Sequence, residues 1–242
     1  MSTAAPHAST TLITGGARGI GAACAQRAVE RGDIVVVWDR AEPVRPIDGV
    51  RYERLDVRDA EGVEAAAARH TSLGLVVNAA GITGFGAADE LDPRVWADVL
   101  ETNLHAPFLV ARAVFGALRR AGGSLVNIGS ITAHVPGRGR VAYCTSKTGV
   151  LMLTRVLALE WADHGIRVNS VSPGYTRTRM VVDAIERGHL DEERILRRTP
   201  QRRMAEPEEI AAAVFALTGP AFGHVTGQEL VVDGGWSANG AY

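Results

Sequence analysis

The chain has 242 residues, 46% of them hydrophobic and 22% charged, with a formal net charge of −1. That is enough aliphatic material for one sizeable core, and the balanced, scattered charge excludes a basic stripe for nucleic acid and a basic amphipathic helix for a membrane surface. Two cysteines, Cys24 and Cys144, in segments that read as separate helices exclude a secreted disulfide scaffold and point to a reducing compartment.

The first ten residues, MSTAAPHAST, lack the basic start and apolar run of a signal peptide. No aliphatic run elsewhere approaches a membrane span. The expectation is a cytoplasmic protein with a flexible tail over residues 1–9 and a single domain over 10–242, with neither nucleic acid nor membrane as a partner.

Beyond the tail, six short apolar runs recur: TLIT, IVVVW, LGLVVN, SLVNIG, IRVNSV and ELVV. Each is too short for a helix and nearly continuous in hydrophobicity, as parallel strands buried on both faces are. Between them lie longer, Ala-rich segments with apolar residues at helical spacing: Ile20 to Glu30, Glu61 to Arg69, Pro93 to Arg120, Ala142 to Asp163 and Glu206 to Leu217. The alternation predicts an α/β fold with a doubly wound parallel sheet. Gly32 after the first helix, Gly122 and Gly123 after the fourth strand's long predecessor helix, and Pro207 in the first turn of the last helix are the expected punctuation. Tyr175 to Arg203 is polar, Arg-rich and helix-prone with no buried strand of its own, and reads as a lid over a site.

After the first strand comes TGGARGIG, in which Gly15, Gly19 and Gly21 lead directly into a helix. Glycines admit positive φ and let backbone N–H groups approach a pyrophosphate, and the helix N-terminus adds partial positive charge. The spacing departs from the general Gly-x-Gly-x-x-Gly fingerprint, so a Gly-rich turn without a ligand is the competing reading. Asp39 ends the second strand twenty residues beyond Gly19, where a carboxylate suits the ribose hydroxyls and repels a 2′-phosphate. That favours NAD, whereas Arg18 in the loop and Arg40 beside the acid could each pair the extra phosphate of NADP.

In YCTSK, Tyr143 and Lys147 stand at i and i+4, on one helical face. A phenol with an ordinary pKa near ~10 is a poor base at neutral pH, and a fixed cation is a direct way to lower it. The pair alone recurs by chance on surface helices. Ser130, thirteen residues upstream at the C-terminal end of a strand, lies where open parallel sheets bind ligands. Three polar groups can then converge on one oxygen.

Taken in order, TGGARGIG, NAAG at Asn78 to Gly81, Asn103 in ETNLHAPF, Ser130, YCTSK, PGYTRT and VDGGW resemble the short-chain dehydrogenase/reductase family from about Thr10 to Trp236. The resemblance implies a Rossmann-like single domain with helices on both faces, hydride transfer between a nicotinamide and a carbinol carbon, and a homotetramer. It implies that Ser130 orients the substrate oxygen, Tyr143 exchanges the proton, and Lys147 holds the nicotinamide ribose and, with the oxidised ring, lowers the Tyr143 pKa. Asn103 would anchor a water that passes the proton to solvent. It further implies cofactor contacts at Ile20, at Asp56 and Val57 against the adenine, at Asn78, Ala79 and Gly81 along the adenosine side, and at Pro173, Gly174, Thr176 and Thr178 around the carboxamide. Two positions depart from the family pattern: Ala79 replaces a second Asn, and Gly129 replaces a small hydroxyl residue.

Other features carry plainer readings. His105, His134 and His164 show no ligand spacing with Cys or carboxylates and read as packing or surface residues, so no metal is expected. Cys144 reads as a packing residue, and Asn103 taken alone could cap a backbone carbonyl in a bent helix. Arg138, Arg140, Arg177, Arg179, Arg197 and Arg198 border the expected pocket and either hold a substrate carboxylate or phosphate or form a solvated lid surface. Val150, Leu151, Leu153, Val156 and Leu157 exceed one buried stripe, which suggests helix-to-helix assembly.

The function expected is an NAD-dependent oxidoreductase that interconverts a secondary alcohol and a ketone on a small polar hydroxy compound or polyol. Residues around Val135, Val141 and Met180 would shape the pocket. The alternatives are an NADPH-dependent 3-oxoacyl-carrier-protein reductase, whose acidic carrier the lid arginines would meet, and a non-catalytic nucleotide-binding scaffold or sensor.

Overall fold

The computed structural model describes residues 9–240. The tail expected over 1–9 lies outside them except for its last residue. Seven parallel strands form one sheet in the order β3-β2-β1-β4-β5-β6-β7, with β1 Thr10–Thr14, β2 Ile34–Asp39, β3 Val50–Arg54, β4 Leu75–Asn78, β5 Ser124–Ile128, β6 Arg167–Pro173 and β7 Glu229–Val232. Six of them are the apolar runs. The seventh, β3, reads VRYER; it is an edge strand with only one neighbour, so its side chains remain half-exposed and it never acquires the continuous apolar run of a strand buried on both faces.

Alternation along the strands splits the core in two. Leu12, Val36, Val76, Leu125 and Val168 face one side, with α2 (Ala60–Ala67), α4 (Ala106–Ala121) and the second half of α5 (Val141–Trp161). Ile13, Val37, Val77, Val126 and Val171 face the other, against α1 (Gly19–Glu30) and α8 (Pro207–Thr218). Each such fully buried aliphatic side chain contributes roughly 1.5–3 kcal/mol.

The helix ends obey local rules. Asp59 caps α2 by accepting from Gly62 N at 3.1 Å, Gly122 ends α4 with φ +58°, and Glu206 and Glu209 form a capping box around Pro207 at the start of α8. The long helix expected over Pro93 to Arg120 is two helices, α3 Pro93–Leu100 and α4, joined by a π-helical turn over Glu101–His105. The wider turn holds the buried Asn103.

Strand order reverses between β1 and β4, so the loops after these strands diverge and leave a crevice at the C-terminal edge of the sheet. The segment after β6 folds over that edge as α6 Arg179–Glu186 and α7 Glu192–Arg198, closed at its base by a bridge between Thr176 and Ala205. Among the described residues no helix is long and apolar enough to cross a membrane.

Candidate active site

At two of its glycines the loop after β1 has no room for a side chain. A Cβ on Gly15 would stand 2.6 Å from Ala80 Cα, and one on Gly21 would stand 2.3 Å from the Gly15 carbonyl oxygen. Gly15 and Gly19 also have positive φ, +69° and +58°. Thr14 fixes the neighbouring crossover, its Oγ1 accepting from Ala79 N at 3.2 Å and Ala80 N at 3.3 Å. Asp39 closes the far side of the loop. Its carboxylate accepts from Ala17 N at 3.0 Å and Ala41 N at 2.9 Å, which holds the acid at the mouth of β2 with lone pairs to spare. Arg18 and Arg40 flank it, both exposed. This cradle, with a helix N-terminus behind it and a carboxylate at its rim, fits a dinucleotide.

Several expected cofactor residues turn their side chains elsewhere. Asn78 is buried, with its amide donating to Asn127 Oδ1 at 2.9 Å and to the Pro107 carbonyl at 3.4 Å, so its side chain serves the joint between β4, β5 and α4. Val57 packs in the core. Asp56 is gripped by Arg58 at 2.7 Å, which holds its carboxyl below the usual range. Thr176 is buried, its hydroxyl 3.4 Å from the Gly174 carbonyl. Ile20 and Ala79 pack at the edge of the core beside α1. Gly81 lies open toward the polar centre, where an added Cβ would meet Asn103 Oδ1 at 3.4 Å and Lys147 Nζ at 3.8 Å. Thr178, ahead of α6, lies against Gly19 and brings the lid to the glycine loop, while Pro173 ends β6 and Gly174 begins the pocket wall.

Four polar groups gather at the centre. Ser130 follows β5 and is buried; its Oγ accepts from Thr132 N at 3.1 Å and from Thr132 Oγ1 at 2.9 Å. With its acceptor capacity filled, the Ser130 hydroxyl is left to donate, and it bonds Tyr143. Lys147, one turn along α5, is buried and donates to the Ile128 carbonyl at 2.8 Å; its Nζ lies 5.7 Å from the Tyr143 ring centroid. Asn103 binds Ile82 through both its amide atoms and donates to Ser146 Oγ at 3.2 Å.

Burial pushes the Tyr143 phenol above its ordinary value, and the protein groups that pull it back are the Ser130 hydroxyl and the Arg140 charge rather than Lys147. Burial brings Lys147 itself down to about 8.

A cavity of about 70 Å³ opens in front of Ser130 and Tyr143. Thr83 and Phe85 wall it from the loop after β4, Ile131 and Arg140 from the loop before α5, and Met180 and Leu190 from the lid. Met180 stands where the sequence placed it, but Val135 and Val141 do not line the cavity; Arg140 does. Of the other arginines, Arg177 lies 3.6 Å from both Glu192 and Glu206, Arg179 pairs Asp183 at 2.5 Å, Arg197 pairs Glu193 at 3.2 Å, and Arg198 lies 3.8 Å over the Trp236 ring. Arg138 is exposed.

Sequence reasoning missed the supporting residues Thr132, Ser146 and Thr14, and the rings Phe85, Tyr175 and Trp236. Their hydrophobicity or small size carries no signal until the fold brings them to the site. The departure at Gly129 has a local cause: a Cβ there would stand 2.3 Å from Ser172 Oγ and 2.9 Å from Ser170 Oγ, so hydroxyls from β6 fill that space. His134 pairs Glu229 at 2.7 Å, His105 and His164 lie against Phe108 and Phe115, and among the described residues no cluster of His, Cys, Asp or Glu could hold a metal ion.

A family model described as "Enoyl-(Acyl carrier protein) reductase" matches residues 15–237. The chain is 37% identical over 238 residues to a galactitol 2-dehydrogenase (L-tagatose-forming) of Cereibacter sphaeroides, covering 93% of each chain. It is 33% identical over 237 residues to a 3-oxoacyl-[acyl-carrier-protein] reductase of Vibrio cholerae, covering 93% of this chain and 95% of the relative. The structure of Thermoplasma acidophilum aldohexose dehydrogenase in ligand-free form superimposes with a TM-score of 0.91 at 27% identity, covering 98% of this chain and 96% of that one.

Proposed function

The chain belongs to the short-chain dehydrogenase/reductase family and interconverts a secondary alcohol and a ketone with a nicotinamide dinucleotide, and we propose that it does so with NAD, on a small polar hydroxy compound, through Tyr143. The observation that carries the proposal is that Ser130 and Tyr143 line one cavity and are hydrogen-bonded to each other, with the buried Lys147 ammonium 5.7 Å from the Tyr143 ring behind them.

Bound dinucleotide supplies the hydride acceptor or donor. The glycine loop holds its pyrophosphate through backbone N–H groups, and Asp39 accepts from the adenosine ribose hydroxyls. A 2′-phosphate would meet the Asp39 charge, which is why NAD is preferred and NADP is the alternative. Lys147 has two N–H donors beyond the one spent on Ile128, and offers them to the nicotinamide ribose. Ser130, fixed as a donor by Thr132, would turn its one O–H from Tyr143 to the substrate oxygen when substrate binds. In the alcohol-to-ketone direction Tyr143 takes the carbinol proton, and in the reverse direction it returns it. Burial raises the phenol, and the positive charge of an oxidised nicotinamide, with that of Lys147, would favour its ionised form. Asn103 acts by holding Ile82 and the π-helical turn.

The ion-paired state of Arg177, Arg179 and Arg197 argues against the acyl-carrier alternative, since these lid charges already have acidic partners on the chain itself. The exposed apolar residues Met152, Val156 and Leu159 on α5 and Phe108 on α4 support assembly through these helices into a homotetramer, whereas Val150, Leu151 and Leu157 are spent on the core. The two free cysteines are consistent with a reducing, cytoplasmic setting. Steady-state assays of neutral secondary alcohols, galactitol among them, with NAD and with NADP test the proposal. Turnover with NAD is the expected result, and no turnover with either cofactor on any alcohol or ketone would overturn it.

A further inference from the structure

We propose that Arg140 makes this pocket a site for substrates carrying a single carboxylate, a claim that rests on the secondary-alcohol reading and narrows it to hydroxy acids and their keto forms. Among the described residues Arg140 is the only charged side chain in the cavity wall, among apolar neighbours that include Phe85, Ile131, Val181 and Leu190. Its guanidinium lies 5.7 Å from the Phe85 ring and 5.7 Å from the Tyr175 ring, and donates to the Tyr175 hydroxyl at 3.2 Å. Phe85 is in turn stacked on His189 of the lid at 4.6 Å and 8°, and Tyr175 packs edge-on to Trp236 at 5.8 Å.

All these partners are neutral or aromatic. Among the described residues no carboxylate stands within ion-pair distance of Arg140, whereas Arg177, Arg179 and Arg197 in the lid each have one. A cation half-buried against apolar walls is costly to leave without a counter-charge, and a planar guanidinium with four N–H groups beyond the one given to Tyr175 matches a carboxylate fork. One cation suits one negative charge; a phosphate dianion would call for a second. Arg140 and Tyr143 stand three residues apart at the start of α5 and wall the same cavity, so the carboxylate lies within a few bonds of the reacting carbinol.

The test uses the full-length protein with NAD and three racemic acids, 3-hydroxybutyrate, 4-hydroxypentanoate and 5-hydroxyhexanoate, each beside its neutral primary amide. For at least one spacing, kcat/KM for the acid exceeds that for the amide by about tenfold or more, chiefly through KM. Arg140→Gln collapses that ratio toward unity and Arg140→Lys keeps part of it, with NADH binding by fluorescence confirming that both variants are folded. Equal acid and amide rates in the wild type, or a preference that survives Arg140→Gln, would overturn the proposal. So would an Arg140→Gln loss equal for acids and amides, which would mean that Arg140 acts on the Tyr143 phenol alone. If galactitol turns over while none of the acids does, the carboxylate claim fails and the secondary-alcohol reading stands; if no alcohol turns over, that reading fails first.

Discussion

Asn103 and Ile82 are joined by two hydrogen bonds of 2.9 Å, one from Ile82 N to Asn103 Oδ1 and one from Asn103 Nδ2 to the Ile82 carbonyl. A buried side-chain amide thus imitates a strand neighbour for the loop that follows β4, and the π-helical turn is what carries the amide to that position.

Asn103→Ala removes both bonds and the one to Ser146, leaving the part-buried backbone groups of Ile82 without these partners. A loss of about 1–3 kcal/mol is expected. For a chain of this size that is a fall in Tm of several degrees, read by thermal denaturation. Turnover should fall further than the stability loss explains, because Gly81 and the floor of the site ride on the same loop.

Asp39→Ser removes the charge that disfavours a 2′-phosphate and leaves Arg18 and Arg40 in place. The ratio of kcat/KM for NAD to that for NADP should drop by about tenfold or more, a change of roughly 1.4 kcal/mol in discrimination. A wild type that already prefers NADP, or a ratio unmoved by the substitution, would remove Asp39 from cofactor selection.

Lys147 gives a stability signal with a definite sign. Its pKa is about 8 in the fold, against 10.5 as the ordinary value, so between those limits the unfolded chain binds the extra proton. The cost of burying the ammonium, on the order of 3 kcal/mol, is fully present below pH 8 and is relieved as pH rises toward 10.5. Measured by denaturant melts, the stability of the wild type relative to Lys147→Met should therefore rise from pH 7.5 to pH 10. A flat or falling difference would mean that the ammonium is better solvated than its burial indicates. Comparing the two proteins at each pH cancels the opposite trend of Cys24, whose thiol burial pushes up to about 12.

Much of this was legible in the sequence. The buried strands announced themselves as continuous apolar runs, and the glycines of TGGARGIG and the acid at Asp39 follow from the need for close backbone approach and for a ribose acceptor. What sequence could not show was β3, whose half-exposed edge position erases the apolar run, and the π-helical turn, which has the same composition as the helices on either side. Nor could it separate side chains that face the site from those that serve the fold: Asn78 and Asn103 both read as polar site residues, yet Asn78 is spent between strands while Asn103 stands near Lys147 at the centre. The six arginines near the pocket read alike, and only the fold separates them: Arg177, Arg179 and Arg197 meet neighbouring acids, Arg198 lies over Trp236, Arg138 is exposed, and Arg140 lines the cavity.

The most direct test of the central claim is single-turnover and steady-state kinetics of Tyr143→Phe, on any secondary alcohol the wild type oxidises with NAD, beside NADH binding by fluorescence. Removing one hydroxyl while the ring stays in place should lower kcat by about 10²–10⁴-fold and leave the cofactor Kd within about twofold. Turnover by Tyr143→Phe equal to the wild type, with the cofactor bound as before, would contradict the assignment of proton transfer to Tyr143.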